Sequence, residues 1–176
     1  MKCANRTLGL IKRTIKSRSK DIIIKLYKAL VRPKLEYCVQ AWRPFLRKDI
    51  ESIERVQKRA SRMITECRGQ SYESRLKVLG LTSLEERQTR GDLIQVFKLM
   101  KGFDNINYRE FFQLADHSRT RGHRFKITKV MSRLEIRRNF FSQRVVNKWN
   151  ELPLCVVEAE SVNAFKNRLD KYWKNI

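Results

Sequence analysis

The sequence predicts a mainly α fold, in which a multi-helix bundle is followed by a helical C-terminal region with a short extended or β segment near residues 123–130. Apolar side chains recur at three- and four-residue spacing through most of the 176 residues, which is the periodicity of amphipathic helices. The 41% hydrophobic and 10% aromatic content argues against a wholly disordered chain. With 6 glycines and 3 prolines, the sequence is also unlike collagen or a low-complexity chain.

The first 46 residues predict three helical segments. The first begins near Ala4 and the second is capped by Asp21. We expect the second helix to bury one stripe, made of Ile22, Ile23, Leu26 and Leu30. Because Pro33 lacks an amide hydrogen, it should break or restart this helix, and a short third helix is expected over residues 34–42.

Residues 47–66 form the most regular predicted helix. Its outer face carries Glu51–Arg55 and Glu54–Lys58, two i,i+4 pairs in the favoured acid-first order. We therefore expect an ordinary solvated helix here and not a site.

Local end signals define the next two helices. A helix over residues 72–79 should stop at Gly80, a typical C-terminal glycine. Ser83 and Glu86 then form a capping box for a helix that runs to Met100.

The C-terminal part contains the one departure from helical spacing. A short helix is expected over residues 108–114, and residues 124–130 alternate so that Phe125 and Ile127 share one side of an extended segment. Helical spacing resumes at Phe140, and Ser161 should cap a last helix.

Charge is distributed unevenly. The chain has 40 Lys and Arg against 18 Asp and Glu, a net charge of +22. Residues 1–48 carry +12, residues 49–116 carry +1 and residues 117–176 carry +9. Two cationic blocks therefore flank a balanced middle, and net charge of this size indicates an anionic partner.

No pattern for catalysis or metal binding is found. The four cysteines include no C-x-x-C pair, and the sequence lacks phosphate-binding glycine loops, a nucleophile elbow and an H-E-x-x-H pair. No Asp-Asp or D-x-D string offers paired metal ligands. A Cys/His nucleophile pair stays open from sequence alone, but Cys38, Cys67 and Cys155 stand beside apolar residues, so we expect them to be packed in the core. We therefore expect no enzyme, no cofactor and no metal.

We also expect no membrane-spanning segment and no secretory signal. No run of about 18 apolar residues could span a membrane, and no secretory signal begins the chain. Scattered cysteines suit an intracellular protein, so we expect the nucleus or cytoplasm and no membrane partner.

The two basic blocks predict a nucleic-acid-binding surface, because phosphates are held by clustered Lys and Arg. His123 and Phe125 could stack on unpaired bases, although a solvated loop with Phe125 in the core is the competing interpretation. The first block also resembles a nuclear localisation signal. The predicted nucleic-acid-binding residues are Lys12, Arg13, Lys16, Arg18, Lys20, Arg119, Arg121, Arg124, Lys126, Lys129, Arg137 and Arg138.

Several strings resemble one family in its order along the chain. ANRTLGLI at residues 4–11 and LYKALVRPKLEYC at 26–38 are followed by VQKRA at 56–60. YESRL, LGL and LEER follow between residues 72 and 87, then RTRGH at 119–123 and FFSQRVVNKWNELP at 140–153. Together they resemble the thumb and C-terminal region of non-LTR (LINE-type) retrotransposon reverse transcriptases of the jockey and chicken-repeat groups.

The resemblance implies a fragment of an RNA-directed DNA polymerase. It implies a thumb-like helical region over residues 1–66 and a C-terminal helical region over 67–176 with a basic loop at 118–138. The metal-binding aspartates of the family lie in the palm, which would precede residue 1, so a catalytically inactive fragment is expected. The implied partners are RNA or DNA, as template–primer or element RNA, and the missing palm domain. The alternatives are a helical protein-interaction module and a non-functional remnant of a transposable element.

Overall fold

The computed structural model of the chain describes residues 1–116 and 123–175. The fold is mainly helical, which confirms the predicted class. It forms two compact units, Met1–Gln88 and Thr89–Ile176. The sequence-based division at 66/67 lies earlier, because Leu79, Leu81 and Leu84 pack into the same core as the N-terminal helices.

Unit 1, Met1–Gln88, is a bundle of short helices around one long helix. Its helices are α1 (Lys2–Thr14), α2 (Lys20–Leu26), α3 (Arg32–Glu36), α4 (Val39–Trp42), α5 (Arg47–Arg62), α6 (Tyr72–Leu79) and the start of α7 (Leu84–Met100). A 3-10 turn, Thr65–Cys67, follows α5.

The buried stripe of α2 differs from the predicted one. Ile23, Tyr27 and Val31 are buried at i, i+4 and i+8, whereas Ile22 and Leu30 are exposed. The apolar run allows several faces to be chosen, and the face that meets α1 determines which is buried. Ser19, not Asp21, is the N-cap residue of α2, and Asp21 lies in its first turn.

Pro33 does not break the helix. The segment Tyr27–Val31 widens to a π-helix, and α3 continues directly from it with Pro33 in its first turn. A proline removes one hydrogen bond and crowds the carbonyl four residues earlier, and a wider turn relieves both effects. Of the two predicted outcomes, a break or a restart, the chain shows a restart of α-helical geometry at Arg32 without a break.

The local end signals of α6 and α7 are confirmed. Gly80 has φ +59°, in the left-handed region that favours glycine, and ends α6. The Ser83 hydroxyl accepts from the Glu86 amide at 3.2 Å, and the Glu86 carboxylate accepts from the Ser83 amide at 3.2 Å. These contacts form a complete capping box.

A buried polar network connects α5 to the rest of unit 1. Gln57 is fully buried, accepts from the Tyr27 hydroxyl at 2.7 Å, and donates to the Tyr72 hydroxyl at 2.9 Å. Its amide also donates to the Thr82 carbonyl at 3.0 Å. Burial raises the pKa of Tyr27 well above its usual range, with the carboxylates of Glu36 and Glu54 adding to the effect.

Unit 2, Thr89–Ile176, has its own core, centred on buried Trp149, Phe97 and Phe165. A bidentate ion pair joins Arg144 to Asp92, at 2.9 and 3.0 Å. Its helices are the rest of α7, then α8 (Glu135–Arg138), α9 (Phe141–Arg144), α10 (Val146–Asn150), α11 (Leu154–Val157) and α12 (Val162–Lys174). The Ser161 hydroxyl caps α12 by accepting from the Ala164 amide at 3.1 Å.

The predicted extended segment near residues 123–130 is small. Ile127 forms an isolated antiparallel bridge with Leu114, and the Thr128 amide donates to the Gln113 carbonyl at 2.8 Å. Among the described residues no longer strand forms. The predicted helix over 108–114 is a single 3-10 turn, Tyr108–Glu110.

Candidate nucleic-acid interface

The N-terminal basic block divides into exposed and anchored side chains. Lys12, Arg13 and Lys16 are exposed at and after the end of α1. The Arg18 guanidinium instead donates to the Lys12 carbonyl at 2.7 Å, and the Lys20 ammonium donates to a carbonyl in the last turn of α6 at 2.7 Å. Arg18 and Lys20 therefore also hold the connection between α1 and α2 in place.

A groove in unit 1 between α1 and α5 gathers cations from four parts of the sequence. Leu8, Gly9 and Met63 contribute its apolar part. The Arg59 guanidinium donates to Asn5 Oδ1 at 2.7 Å, which links the two helices at this groove. Its basic lining residues are Lys12, Arg18, Arg59, Arg62 and Arg68, and none of the described lining residues is acidic.

A second, neighbouring groove extends this charge along α5. Arg59 and Arg62 line both grooves, and Arg55 and Lys58 line the second one together with Met1. Arg55, Arg59 and Arg62 are exposed at i, i+4 and i+7 and therefore share one helix face. We call the following set the cationic face: Lys12, Arg18, Arg55, Lys58, Arg59, Arg62 and Arg68.

The predicted acid–base pairs of α5 do not neutralise this face. The Glu54 carboxylate faces the interior, where it accepts from the Tyr72 hydroxyl and from the Leu84 amide at 2.9 Å. Burial, followed by the hydrogen bond to Glu54, raises the pKa of Tyr72 far above its usual range. The Lys58 ammonium lies over the Tyr72 ring, 5.0 Å from its centroid.

Glu51, one turn before Arg55 on α5, also has a partner other than the predicted one. Its carboxylate lies 3.4 Å from Arg47, one turn earlier on α5, in an exposed pair. The predicted partners Arg55 and Lys58 are thus replaced by Arg47 for Glu51, and by Tyr72 and Leu84 for Glu54. The i, i+4, i+7 spacing of the arginines was the signal in the sequence that could have identified this surface.

The basic loop of unit 2 is only partly described. Arg119 and Arg121 lie outside the described residues. Arg124 pairs with Glu158 at 3.3 Å, and its guanidinium lies 5.1 Å from the centroid of the Phe125 ring. Lys126 is half-buried, and its carbonyl accepts from the Ala115 amide at 2.8 Å. Arg124 is therefore less available to phosphate than the sequence suggests.

His123 belongs to the core and not to a binding surface. It is 3% exposed, its Nε2 lies 3.1 Å from the Trp149 carbonyl oxygen, and its ring meets the Trp149 ring edge-on. Phe125 packs against the same core with the Lys101 ammonium 5.1 Å from its centroid. The hypothesis that His123 stacks on bases was wrong because its ring is buried.

The remaining predicted residues lie on an exposed segment of unit 2. Lys129, Arg137 and Arg138 are all exposed. The Arg137 guanidinium lies 5.3 Å from the Phe140 ring centroid, and Arg138 Nε donates to the Ser132 carbonyl at 2.8 Å. Exposed apolar side chains lie among these cations, namely Val130, Met131, Leu134, Ile136 and Phe140.

The described residues hold no arrangement for metal binding. Across residues 1–116 and 123–175, no group of three His, Cys, Asp or Glu side chains could hold a metal ion. All four cysteines are free; Cys67 is buried, and Cys38 and Cys155 are exposed where we expected them to be packed. In the same part of the chain no helix has both the length and the apolar character of a membrane span.

No protein-family model, curated protein or solved structure matches this chain. Its resemblance to the reverse transcriptases therefore stays a prediction from the quoted strings. The site itself is the cationic face, where Lys and Arg side chains border the apolar residues Leu8, Gly9 and Met63. That combination suits a phosphate backbone.

Proposed function

We propose that this chain binds RNA or template–primer nucleic acid through basic surfaces, as a catalytically inactive fragment of a retrotransposon RNA-directed DNA polymerase. The observation that supports binding is the cationic face of unit 1, whose described groove-lining residues include no acid. The polymerase origin is supported by the family strings alone. Unit 1 carries 22 basic and 9 acidic residues, a net +13, so its wider surface also attracts polyanions.

The free energy of binding comes mainly from counterions. A cationic face without internal carboxylates holds mobile anions, and the nucleic acid holds condensed cations. When phosphates replace these ions at the face, both sets are released and their entropy rises. Exposed arginines also present forked donors that match phosphate oxygens. Binding should therefore be strong at low salt and tolerant of sequence.

A gel shift across a salt series tests the proposal. The probes are a single-stranded RNA and an RNA–DNA template–primer, titrated with the whole chain between 50 and 200 mM NaCl. About six to ten phosphate contacts would lower the affinity by about 10³–10⁵-fold over this range. An oligomer of the same bases on an uncharged backbone is the control and should not bind. Absence of binding at 50 mM NaCl would contradict the proposal.

The expectation of inactivity is tested separately by primer extension. The purified chain is incubated with template–primer, deoxynucleotides and Mg²⁺ or Mn²⁺. We expect no extension, because two-metal phosphoryl transfer needs clustered carboxylates. The described residues bring no three such ligands together. Extension of the primer would overturn this part of the proposal and leave the binding part standing.

The proposed setting is the nucleus or the cytoplasm, where thiols stay reduced. All four cysteines are free, and three of them are exposed. Exposed, unpaired thiols suit a reducing compartment. The nucleic acid partner would be template–primer or element RNA, and the absent palm domain would be a further partner in the intact polymerase.

A second candidate function, a helical protein-interaction module, is favoured by the exposed segment of unit 2. Met131 is 95% exposed and Leu134 is 72% exposed, and both lie among other apolar side chains. Adjacent apolar residues of this kind mark protein contacts more often than phosphate contacts. Light scattering distinguishes the two functions. A molecular mass above that of the monomer, unchanged by added salt or nucleic acid, would support the interaction module.

A further inference from the structure

An aromatic groove in unit 1 lies at the N-terminal end of α5. It has a volume of about 600 Å³. It is formed where the chain passes from α3 through α4 to the start of α5. The residues that matter for its chemistry are Tyr37, Trp42, Phe45, Lys34, Arg43 and Asp49.

The three aromatic rings are unusually open to solvent. Tyr37 is 79% exposed, Trp42 is 41% exposed and Phe45 is 39% exposed. Large aromatic side chains are the most costly to leave in water, because each buries much apolar area when covered. Grouping of three of them in one groove indicates a ligand that offers flat apolar faces.

A turn fixes the Trp42 ring relative to the main chain of Tyr37. Cys38, between Tyr37 and α4, has φ 52° and ψ 35°, the left-handed conformation that non-glycine residues rarely adopt. The Trp42 indole nitrogen donates to the Tyr37 carbonyl across this turn. Strained residues of this kind concentrate at binding sites, where the surrounding structure holds them in place. The turn therefore holds the Trp42 side of the groove in place.

The aromatic groove continues into the cationic face. Met1 and Ser52 line both the aromatic groove and the second cationic groove. Along α5, Ser52 and Arg62 are ten residues apart, a distance of about 15 Å. One strand could therefore place its phosphates along the arginines and its next bases against the rings.

We propose that the aromatic groove stacks the unpaired bases of single-stranded RNA or DNA whose phosphates lie on the cationic face. This inference rests on the proposed nucleic-acid binding, and it adds a site at which the bases of the bound strand are held. Sequence-tolerant single-strand binders combine a basic track with aromatic platforms, because every base has a stacking face. Lys34 and Arg43 at the groove supply further positive charge, and Lys34 Nζ donates to the Thr7 hydroxyl at 2.6 Å.

Among the described residues that line this groove, Asp49 is the only acidic one. It lies in the first turn of α5, where its charge also favours the helix dipole. A carboxylate here repels a phosphate that follows the stacked base. Asp49→Asn should therefore strengthen single-strand binding about two- to fivefold, by removing one like charge near the surface.

The experiment compares two uridine 12-mers that carry the same number of phosphates. One has every base, and in the other the central bases are replaced by abasic sites. Fluorescence anisotropy at 100 mM NaCl should show that the complete strand binds about 5- to 150-fold more tightly than the abasic strand. Tyr37→Ala and Trp42→Ala should remove most of this difference and leave the affinity for the abasic strand unchanged.

A matched control and a spectroscopic readout separate stacking from folding. Phe111→Ala removes an exposed aromatic of unit 2 and should keep the difference between the strands. Trp42 emission should be quenched by the complete strand, and Trp42→Phe should remove that quenching, because Trp149 is fully buried and the half-buried Trp173 packs against the core of unit 2. Circular dichroism confirms that each variant is folded.

Two failures can be told apart. If neither strand binds, the proposed nucleic-acid binding is wrong, and the stacking inference that rests on it is wrong as well. If both strands bind equally and Trp42 emission does not change, the proposed function stands and the stacking inference is overturned. An equal loss of affinity for both strands in the Tyr37→Ala variant would likewise overturn the inference. It would mean that Tyr37 contributes to phosphate binding or to folding.

Discussion

Replacing the exposed arginines of α5 should change the salt dependence of nucleic-acid binding by a calculable amount. The variant is Arg55→Gln, Arg59→Gln and Arg62→Gln together. Glutamine keeps the unbranched stem and a similar helix propensity, so α5 should stay folded. All three arginines are exposed and line the cationic face.

The magnitude follows from the number of cations. If the seven side chains of the cationic face each neutralise one phosphate of a single strand, the slope of log K against log salt is about −5. A rise from 50 to 200 mM NaCl then lowers the affinity about 900-fold. With four cations left the slope is about −3, and the same rise in salt lowers the affinity only about 50-fold.

Anisotropy titrations at four salt concentrations measure both slopes. The matched control is Lys166→Gln, Lys171→Gln and Lys174→Gln on α12, which removes the same charge from unit 2. Its slope should stay near that of the unaltered chain. An unchanged slope in the α5 variant would refute the reasoning, and an equal change in both variants would show that net charge alone acts.

Three further predictions concern stability. Asp92→Ala should lower the free energy of unfolding by about 3–5 kcal/mol in urea titrations, because Arg144 keeps a buried charge without this carboxylate; a loss below about 1 kcal/mol would contradict that. The folded-state pKa of buried Tyr27 is raised, so stability should be full below about pH 10 and fall at higher pH by up to about 1.4 kcal/mol per pH unit. Tyr27→Phe should flatten that fall, and an unchanged slope would disprove the assignment. Gly91→Ala should stabilise the chain by about 0.8–1 kcal/mol in thermal melts, since an added Cβ meets nothing within 4 Å; destabilisation would show that the glycine is required.

Features that depend on neighbouring residues could be predicted from the sequence. The Ser83–Glu86 capping box and the left-handed Gly80 both formed as expected, since each is determined within one turn of chain. The two-unit division and the buried face of α2 depend on distant partners. The apolar run around Ile23 fits several faces, and only packing against other helices selects one.

The sequence predicted that the candidate site is made of basic side chains, but it did not predict which of them share a surface. Net charge indicated cationic surfaces, yet the two predicted i,i+4 pairs assigned Arg55 and Lys58 of α5 to acidic partners on the same helix. That assignment failed because Glu54 has partners from Tyr72 and Leu84, which lie far along the sequence. The sequence also placed Arg124 among the cations available to phosphate, although Glu158, at the end of α11, pairs with it. Which charges remain at a surface is a tertiary property.

The inward position of Glu54 has a consequence for the chain before it meets any ligand. Since this carboxylate satisfies a tyrosine hydroxyl and a backbone amide inside unit 1, it cannot fold outward to serve as an internal counter-ion. The neutralising charge for Arg59 and Arg62 then comes largely from small anions of the solvent. We therefore expect the affinity of the protein for a polyanion to depend on the identity of the buffer anion as well as on its concentration.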